Sequence, residues 1–102
     1  MSDEPLRGYQ RKWLRGRAHD LSPVVLVGDN AITDRIIAAV DQALLDHELI
    51  KVRLRRPKNK KAMAQELADR CKALLCGLVG HTVILYRPHP EKPVIQVPQR
   101  EE

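Results

Sequence analysis

The sequence is poor in aromatic side chains. Its 102 residues contain no Phe, one Trp and two Tyr, so the hydrophobic core must be aliphatic. This scarcity argues against folds that bind nucleic acid by stacking successive bases on aromatic rings. At this length we expect one domain that buries roughly 65% of the surface of its unfolded chain.

Long apolar segments, ordered metal ligands and a processing signal are also missing. The longest aliphatic run, residues 36–40, is far too short to span a membrane. The acidic N-terminal residues lead into a basic segment rather than the apolar region of a signal peptide. Cys71 and Cys76 lack CxxC spacing and ordered histidine neighbours, which argues against zinc. We expect two reduced, mostly buried thiols in a cytoplasmic protein without a metal or another cofactor.

The residue patterns of an enzyme are absent as well. The residues whose side chains could serve in catalysis are not arranged with any recognised catalytic spacing: Ser22, Asp29, His47 and His81. The longer glycine loop with lysine that holds nucleotide phosphates, GxxxxGK[ST], does not occur. The sequence therefore does not predict an enzyme.

Negative charge is missing from two strongly basic segments. The formal net charge is +5 and the pI is near 9.6. Twelve of the eighteen Lys and Arg residues lie within residues 7–17 and 51–61, and neither segment contains Asp or Glu. Charge dispersed for solubility would not segregate in this way, so we expect an anionic partner.

The stretch that organises the chain is residues 22–34, SPVVLVGDNAITD. Its four aliphatic residues, 24–27, predict a buried strand, and Gly-Asp-Asn ends that strand in a turn. A helical repeat of apolar positions follows, with Thr33 or Asn30 as its N-cap. A strand, a glycine loop and a helix N-terminus place backbone N–H groups where they can hold phosphate.

Apolar periodicity predicts the other elements. We expect helices at residues 5–18, 33–46 and 60–73, and strands at residues 24–27, 49–55, 74–79 and 83–87. The last two strands form a hairpin through Gly80 and His81. The proline-rich residues 89–102 are expected to be an extended or disordered tail outside a core of about residues 5–88.

Two amphipathic patterns indicate how these elements pack. In the first helix the apolar arc is expected to comprise Leu6, Tyr9, Gln10 and Trp13, with Leu14 at its edge and the cations opposite. In the strand at residues 49–55, aliphatic residues alternate with Lys51, Arg53 and Arg55, which predicts a sheet covered on one side only. The fold class is therefore α/β, a two-layer α-β-α-β-α-β-β domain whose four-stranded mixed sheet has helices mainly on one face. The strand order stays open.

The chain contains three segments in this order: LRGRAHDLSPVVLVGDNAITD, IIAAVDQALLDHELIKV and VGHTVILYRP. With this order and spacing, they resemble the CRM domain in its small stand-alone bacterial YhbY-like form. CRM stands for chloroplast RNA splicing and ribosome maturation. The resemblance covers about residues 9–88. It implies an RNA-binding protein, and for the bacterial form an association with precursors of the large ribosomal subunit. The family's GxxG loop corresponds to Gly28-Asp29-Asn30-Ala31, where alanine replaces the last glycine.

Without an aromatic platform, RNA binding would depend on Lys and Arg contacts to phosphates and on loop N–H groups. The candidate RNA-binding residues are Gly28, Asp29, Asn30 and Ala31 in the loop, Lys51, Arg53 and Arg55 in the strand, Arg11, Lys12 and Arg15 in the first helix, and Arg87 after the last strand. We expect a monomer with ribosomal precursor RNA as its partner. The alternative is a basic adaptor module that binds an acidic protein without touching RNA.

Overall fold

The structure, a computed structural model, describes residues 6–28 and 32–99. These ranges contain the helices α1 (Gly8–Ala18), α2 (Asp34–His47) and α3 (Lys60–Arg70), and the strands β1 (Val25–Val27), β2 (Leu49–Leu54), β3 (Leu74–Val79) and β4 (Thr82–Tyr86). The predicted order α-β-α-β-α-β-β and the α/β class with a four-stranded mixed sheet are confirmed.

The sheet has the strand order β1-β2-β4-β3, which the sequence left open. β1 and β2 are parallel and joined by α2, whereas β4 runs antiparallel to both β2 and β3. The predicted hairpin turn is present, with Gly80 at a φ of +59° that glycine adopts readily. Thr33 is the N-cap of α2, because its Oγ1 accepts a hydrogen bond from the Ile36 N–H at 3.2 Å.

One face of the sheet, the inner face, is fully covered. Its β2 and β4 side chains, none more than 1% exposed, are Ile50, Val52, Leu54, Val83 and Leu85. They pack with buried residues of α2 and α3, such as Leu44 and Leu67, in one aliphatic cluster. Burying each such side chain contributes roughly 1.5–3 kcal/mol, so this cluster is the main source of stability. The helices therefore lie mainly on one face, as predicted.

The opposite or outer face is partly covered by α1, which adds a partial third layer, so the prediction of a sheet covered on one side only is wrong. Leu14 and Ala18 are fully buried there, in a cluster with Leu49, Ile84 and Tyr86. The predicted apolar arc of this helix is therefore misplaced by about one residue. The reason is that α1 meets the sheet along the Leu14–Ala18 stripe.

Trp13, expected in the apolar arc of the first helix, is only half-buried at the side of this cluster. The guanidinium of Arg17 lies 5.1 Å from the centre of its ring, at cation–π distance. Trp13 therefore contributes to the margin of the outer cluster rather than to its centre.

β1 is an edge strand, and the prediction that it is buried throughout is wrong. Val27 is fully buried on the inner side, but Leu26 is 53% exposed and Val24, just before the strand, is 49% exposed. The main helix contact of this strand is with α2 on its inner side, and its outer side stays largely exposed. An uninterrupted aliphatic run does not distinguish a central strand from an edge strand with one open side.

The C-terminal segment after β4 has no helix or strand, but it packs against the outer cluster through Ile95 and Val97. The Glu48 carboxylate holds this segment in place. It is 3% exposed and accepts hydrogen bonds from the backbone N–H groups of His89 (2.6 Å), Val94 (3.0 Å) and Ile95 (2.8 Å). Residues 88–98, Glu48 and Arg87 together form what we call the closed end of the sheet.

Glu48 also has an unusual backbone conformation at the C-cap of α2. Its φ of 66° and ψ of −44° lie in a region that side-chain-bearing residues rarely adopt. Burial raises the pKa of its carboxyl group, but the hydrogen bonds from His89, Ile95 and Val94 outweigh this effect and leave the pKa lowered. The ionised carboxylate is therefore the form that fits this site.

Candidate nucleic-acid interface

The residues that directly follow β1 and β2, Gly28 and Arg55, lie at one end of the sheet, because parallel strands end at the same edge. The Arg55 N–H donates to the Val27 carbonyl at 3.0 Å, and the Leu54 N–H donates to the His81 carbonyl at 2.8 Å. These bonds bring together Gly28, the basic residues 55–61 and the β3–β4 turn. We call this region the loop end.

The loop end carries much of the positive charge of the second basic segment. Arg53 and Arg55 are exposed at the end of β2, and Arg56, Lys58, Lys60 and Lys61 follow in the loop and the first turn of α3. Within residues 6–28 and 32–99, the cations that form no ion pair include Arg53, Arg56, Lys58, Lys60 and Lys61. Their mutual repulsion is therefore not relieved by acids of the described chain, and the surface favours an anion.

The candidate loop residue Gly28 is exposed, directly after β1. A Cβ atom added at this position would meet no heavy atom within 4 Å. Nothing in the packing of the described chain therefore requires glycine here, and the space is open to an external group. The other three candidate loop residues, Asp29, Asn30 and Ala31, lie outside the described residues.

Lys51 lies on the outer face but is tied to α1. Its ammonium group donates to the carbonyl of His19, the C-cap of that helix, at 3.0 Å. A cation at this position also interacts favourably with the negative end of the helix dipole. Lys51 is half-buried, so it both secures α1 and adds charge to the outer face next to Arg53.

The cations of α1 differ in how they are held. Arg15 lies over the sheet: its guanidinium donates to the Cys76 carbonyl at 2.9 Å, and its stem occupies the space above Gly77. Gly77 and Lys51 pair with Ile84 from opposite sides, so Arg15 and Lys51 flank the same β4 residue. Arg11, one turn earlier, donates to the Leu6 carbonyl, and Lys12 is exposed.

Arg87, the remaining candidate, is at the closed end and not at the loop end. Its guanidinium forms an ion pair with Asp41 at 2.7 Å and donates to the carbonyls of Cys71 at 2.7 Å and Asp41 at 3.1 Å. The structure therefore separates Arg87 from the other candidates, because its hydrogen bonds join β4 to α2 and to the end of α3.

Other kinds of site find little support in the part of the chain that the structure describes. Residues 6–28 and 32–99 contain no cluster of three His, Cys, Asp or Glu side chains that could hold a metal ion, and no helix long and apolar enough to cross a membrane. Cys71 and Cys76 are free and buried, as predicted. Burial raises the pKa of the Cys71 thiol, and it raises the pKa of Cys76 to about 12, so neither is a thiolate at neutral pH.

Comparisons with known proteins agree with this organisation. The model of the CRS1/YhbY (CRM) domain family matches residues 6–87. A protein of Haemophilus influenzae named as an RNA-binding protein is 37% identical over 93 residues, which cover 89% of this chain and 93% of that protein. A probable RNA-binding protein of Bacillus subtilis is 33% identical over 95 residues, covering 91% of this chain and 99% of the relative.

A solved structure extends the similarity to the fold. The solution structure of a hypothetical protein of Staphylococcus aureus, put forward as an RNA-binding protein, superposes with a TM-score of 0.80 at 30% sequence identity. The superposition covers 91% of this chain and 99% of that one. The shared fold thus extends over most of this chain.

Proposed function

The chain belongs to the CRS1/YhbY (CRM) domain family, and from this premise we propose that it binds RNA through its loop end. The observation that carries the proposal is the group of cations at the loop end that form no ion pair with the described residues: Arg53, Arg56, Lys58, Lys60 and Lys61. The proteins of Haemophilus influenzae and Bacillus subtilis named above support RNA as the anion.

The residues at the loop end have different roles in this proposal. Arg53 and Arg55 contact phosphates, and the exposed Gly28 lets the RNA backbone approach the loop closely. Lys51 and Arg15 extend the positive surface along the outer face, and the candidates Arg11 and Lys12 extend it along α1. Arg87 has no place in the site, because the Asp41 carboxylate and two backbone carbonyls already occupy its guanidinium.

The proposed target is precursor RNA of the large ribosomal subunit, bound by a cytoplasmic monomer during ribosome assembly. The support is the resemblance of the chain to the stand-alone bacterial form of the family. Crosslinking in cells followed by sequencing of the attached RNA tests the target. We expect enrichment of large-subunit ribosomal sequences, and a random transcript profile would contradict this target while leaving RNA binding in place.

The salt dependence of binding tests the charge argument without reference to any relative. If the loop end contacts phosphates, log affinity falls linearly with log salt, with a slope of roughly −0.7 to −0.9 per contact. Arg53→Ala and Arg55→Ala should each make the slope shallower by about one contact. The matched control is Lys92→Ala, an exposed cation in the segment at the closed end, which should leave the slope unchanged. Equal slopes in all variants would remove the loop end from the site.

Gly28→Val tests the loop. A side chain at this position meets nothing in the described chain, so we expect the free energy of unfolding to change by no more than about 0.5 kcal/mol. RNA affinity should fall, because the added methyl groups stand where the RNA backbone approaches. An unchanged affinity in the folded variant would mean that the loop does not contact RNA.

Treatment of native complexes with RNase separates RNA binding from binding of an acidic protein partner, because a complex with an acidic protein would survive the treatment.

A further inference from the structure

A row of side chains, three of them exposed and one half-buried, crosses all four strands beside the loop end. The register pairs Leu26 with Arg53, Arg53 with Thr82, and Thr82 with Val79, on the outer face. We call these four residues the open row. Adjacent strands are about 4.8 Å apart, so the row spans roughly 14 Å from Leu26 to Val79.

Both ends of the open row are aliphatic and exposed to solvent. Leu26 is 53% exposed and Val79 is 61% exposed. α1 does not reach them, because its buried residues Leu14 and Ala18 pack farther along the face in the outer cluster. An isolated exposed aliphatic residue is ordinary, but these two flank a cation at one level of the sheet, next to the loop end.

The charge of this region indicates what covers it. The open row contains no acid, Arg53 stands in its middle, and Arg55 and the cations of residues 55–61 follow directly. A partner with both apolar and anionic groups is needed, and its anionic groups must lie beside its apolar ones. An unpaired RNA strand has this composition, because its bases have apolar faces and are attached to a chain of phosphates.

We propose that the open row receives the bases of an unpaired RNA strand while the phosphates of that strand contact the loop end; this inference rests on the proposed function. The aliphatic groups of Leu26 and Val79 contact base faces. Arg53, between them, contacts a phosphate of the same strand, and the Thr82 hydroxyl bonds to a base edge. A duplex buries its base faces in the stack, so it cannot use this row in the same way.

The test compares a short fluorescein-labelled RNA strand without self-complementarity with the same strand annealed to its complement. Affinity for each is measured by fluorescence anisotropy at several salt concentrations. We expect the wild type to bind the unpaired strand more tightly than the duplex. The double variant Leu26→Ser/Val79→Ser should lose roughly tenfold in affinity for the unpaired strand with an unchanged salt slope, because it removes apolar contact and no charge. Duplex binding should not change.

Val94→Ser is the matched control, since Val94 is 79% exposed but lies in the segment at the closed end. It should bind both forms like the wild type. If the double variant binds the unpaired strand as tightly as the wild type, or loses affinity equally for both forms, the open row is not a base-binding surface although RNA binding stands. If the wild type binds neither form, the proposed function itself is wrong.

Two measurements keep the inference testable if the double variant folds poorly. In the wild type, the methyl NMR signals of Leu26 and Val79 should shift on addition of the unpaired strand, whereas those of Val94 should not. Absence of these shifts at saturation would overturn the inference. Sedimentation tests whether a second copy of the chain covers the open row instead. If the wild type is a dimer, the double variant is a monomer and the RNA affinity of the two is equal, the row is a contact between copies.

Discussion

The closed end and the loop end of the sheet carry side chains of the same chemistry in opposite surroundings. At the closed end the Arg87 guanidinium contacts the Asp41 carboxylate and two backbone carbonyls, and the Glu48 carboxylate accepts hydrogen bonds from three backbone N–H groups. At the loop end Arg53 is exposed and forms no ion pair with the described residues. One end uses charge to hold the chain together, and the other presents charge to solvent.

This difference shows why a count of cations cannot locate an interface. Arg53 lies on β2 and Arg87 directly follows β4 of the same sheet, and only their neighbours separate a structural role from a binding role. Substitutions at the closed end should therefore change stability and leave RNA affinity in place, whereas those at the loop end should do the reverse.

The largest effect is expected for Arg87→Ala. The substitution removes an ion pair and two hydrogen bonds to carbonyls from a largely buried guanidinium, and we expect a loss of about 3 kcal/mol in the free energy of unfolding. Urea denaturation measures this loss. RNA affinity of the folded fraction should equal that of the wild type. A variant of normal stability and weakened affinity would place Arg87 in the interface and break the contrast.

Glu48→Gln should reduce the free energy of unfolding by about 2 kcal/mol at neutral pH, because the neutral amide oxygen accepts more weakly than a carboxylate and the amide NH2 group cannot accept from the backbone N–H groups. The pKa of Glu48 is lowered in the folded state, so its contribution is complete above the pKa of the unfolded chain and disappears as the pH falls through the folded value. The difference between wild type and variant should therefore shrink in acid. Unfolding measured over an acid pH series checks this, and a difference independent of pH would contradict it.

Gly77→Ala should cost about 1 kcal/mol, because the new Cβ would lie 2.5 Å from the Arg15 Cδ and force that side chain to move. If Arg15 contributes to binding from this position, the variant should also lose part of the affinity that Arg15→Ala loses. Adding Gly77→Ala to Arg15→Ala should cost less than it does alone, since the clashing atoms are gone. Strictly additive costs in the double-mutant cycle would show that this contact does not determine the position of Arg15.

The smallest effect is expected for Lys51→Ala, because Lys51 both stabilises the fold and contributes charge to the proposed RNA-binding surface. Loss of the contact with the His19 carbonyl should cost about 0.5 kcal/mol, in line with a cation at a helix C-terminus. The salt slope of RNA binding should also become shallower by about one contact. Lys12→Ala, an exposed position on α1, provides the control for stability and should leave it unchanged. A loss of stability without a change of slope would assign Lys51 to the fold alone.

Local sequence was sufficient to predict most elements of this chain. The alternation in β2 predicted Ile50, Val52 and Leu54 as the covered side, because strand side chains alternate with a period of two. Thr33 was one of two N-caps predicted from the same kind of local chemistry, and the turn at Gly80 was predicted in the same way. The two acid-free segments also predicted where positive charge would accumulate, since burial of so many cations would be costly.

Tertiary structure alone decided which of these features meet. The strand order placed β1 at an edge and set Leu26, Arg53, Thr82 and Val79 in one row, although the four residues come from distant parts of the chain. The position of α1 on the outer face buried Leu14 rather than Trp13 and left that row uncovered. Burial of Glu48 depends on backbone N–H groups more than forty residues away, to which no local pattern points. Periodicity specifies which side of an element is apolar, but contacts between elements depend on packing of the whole chain, and those contacts separate the structural charges from the exposed ones.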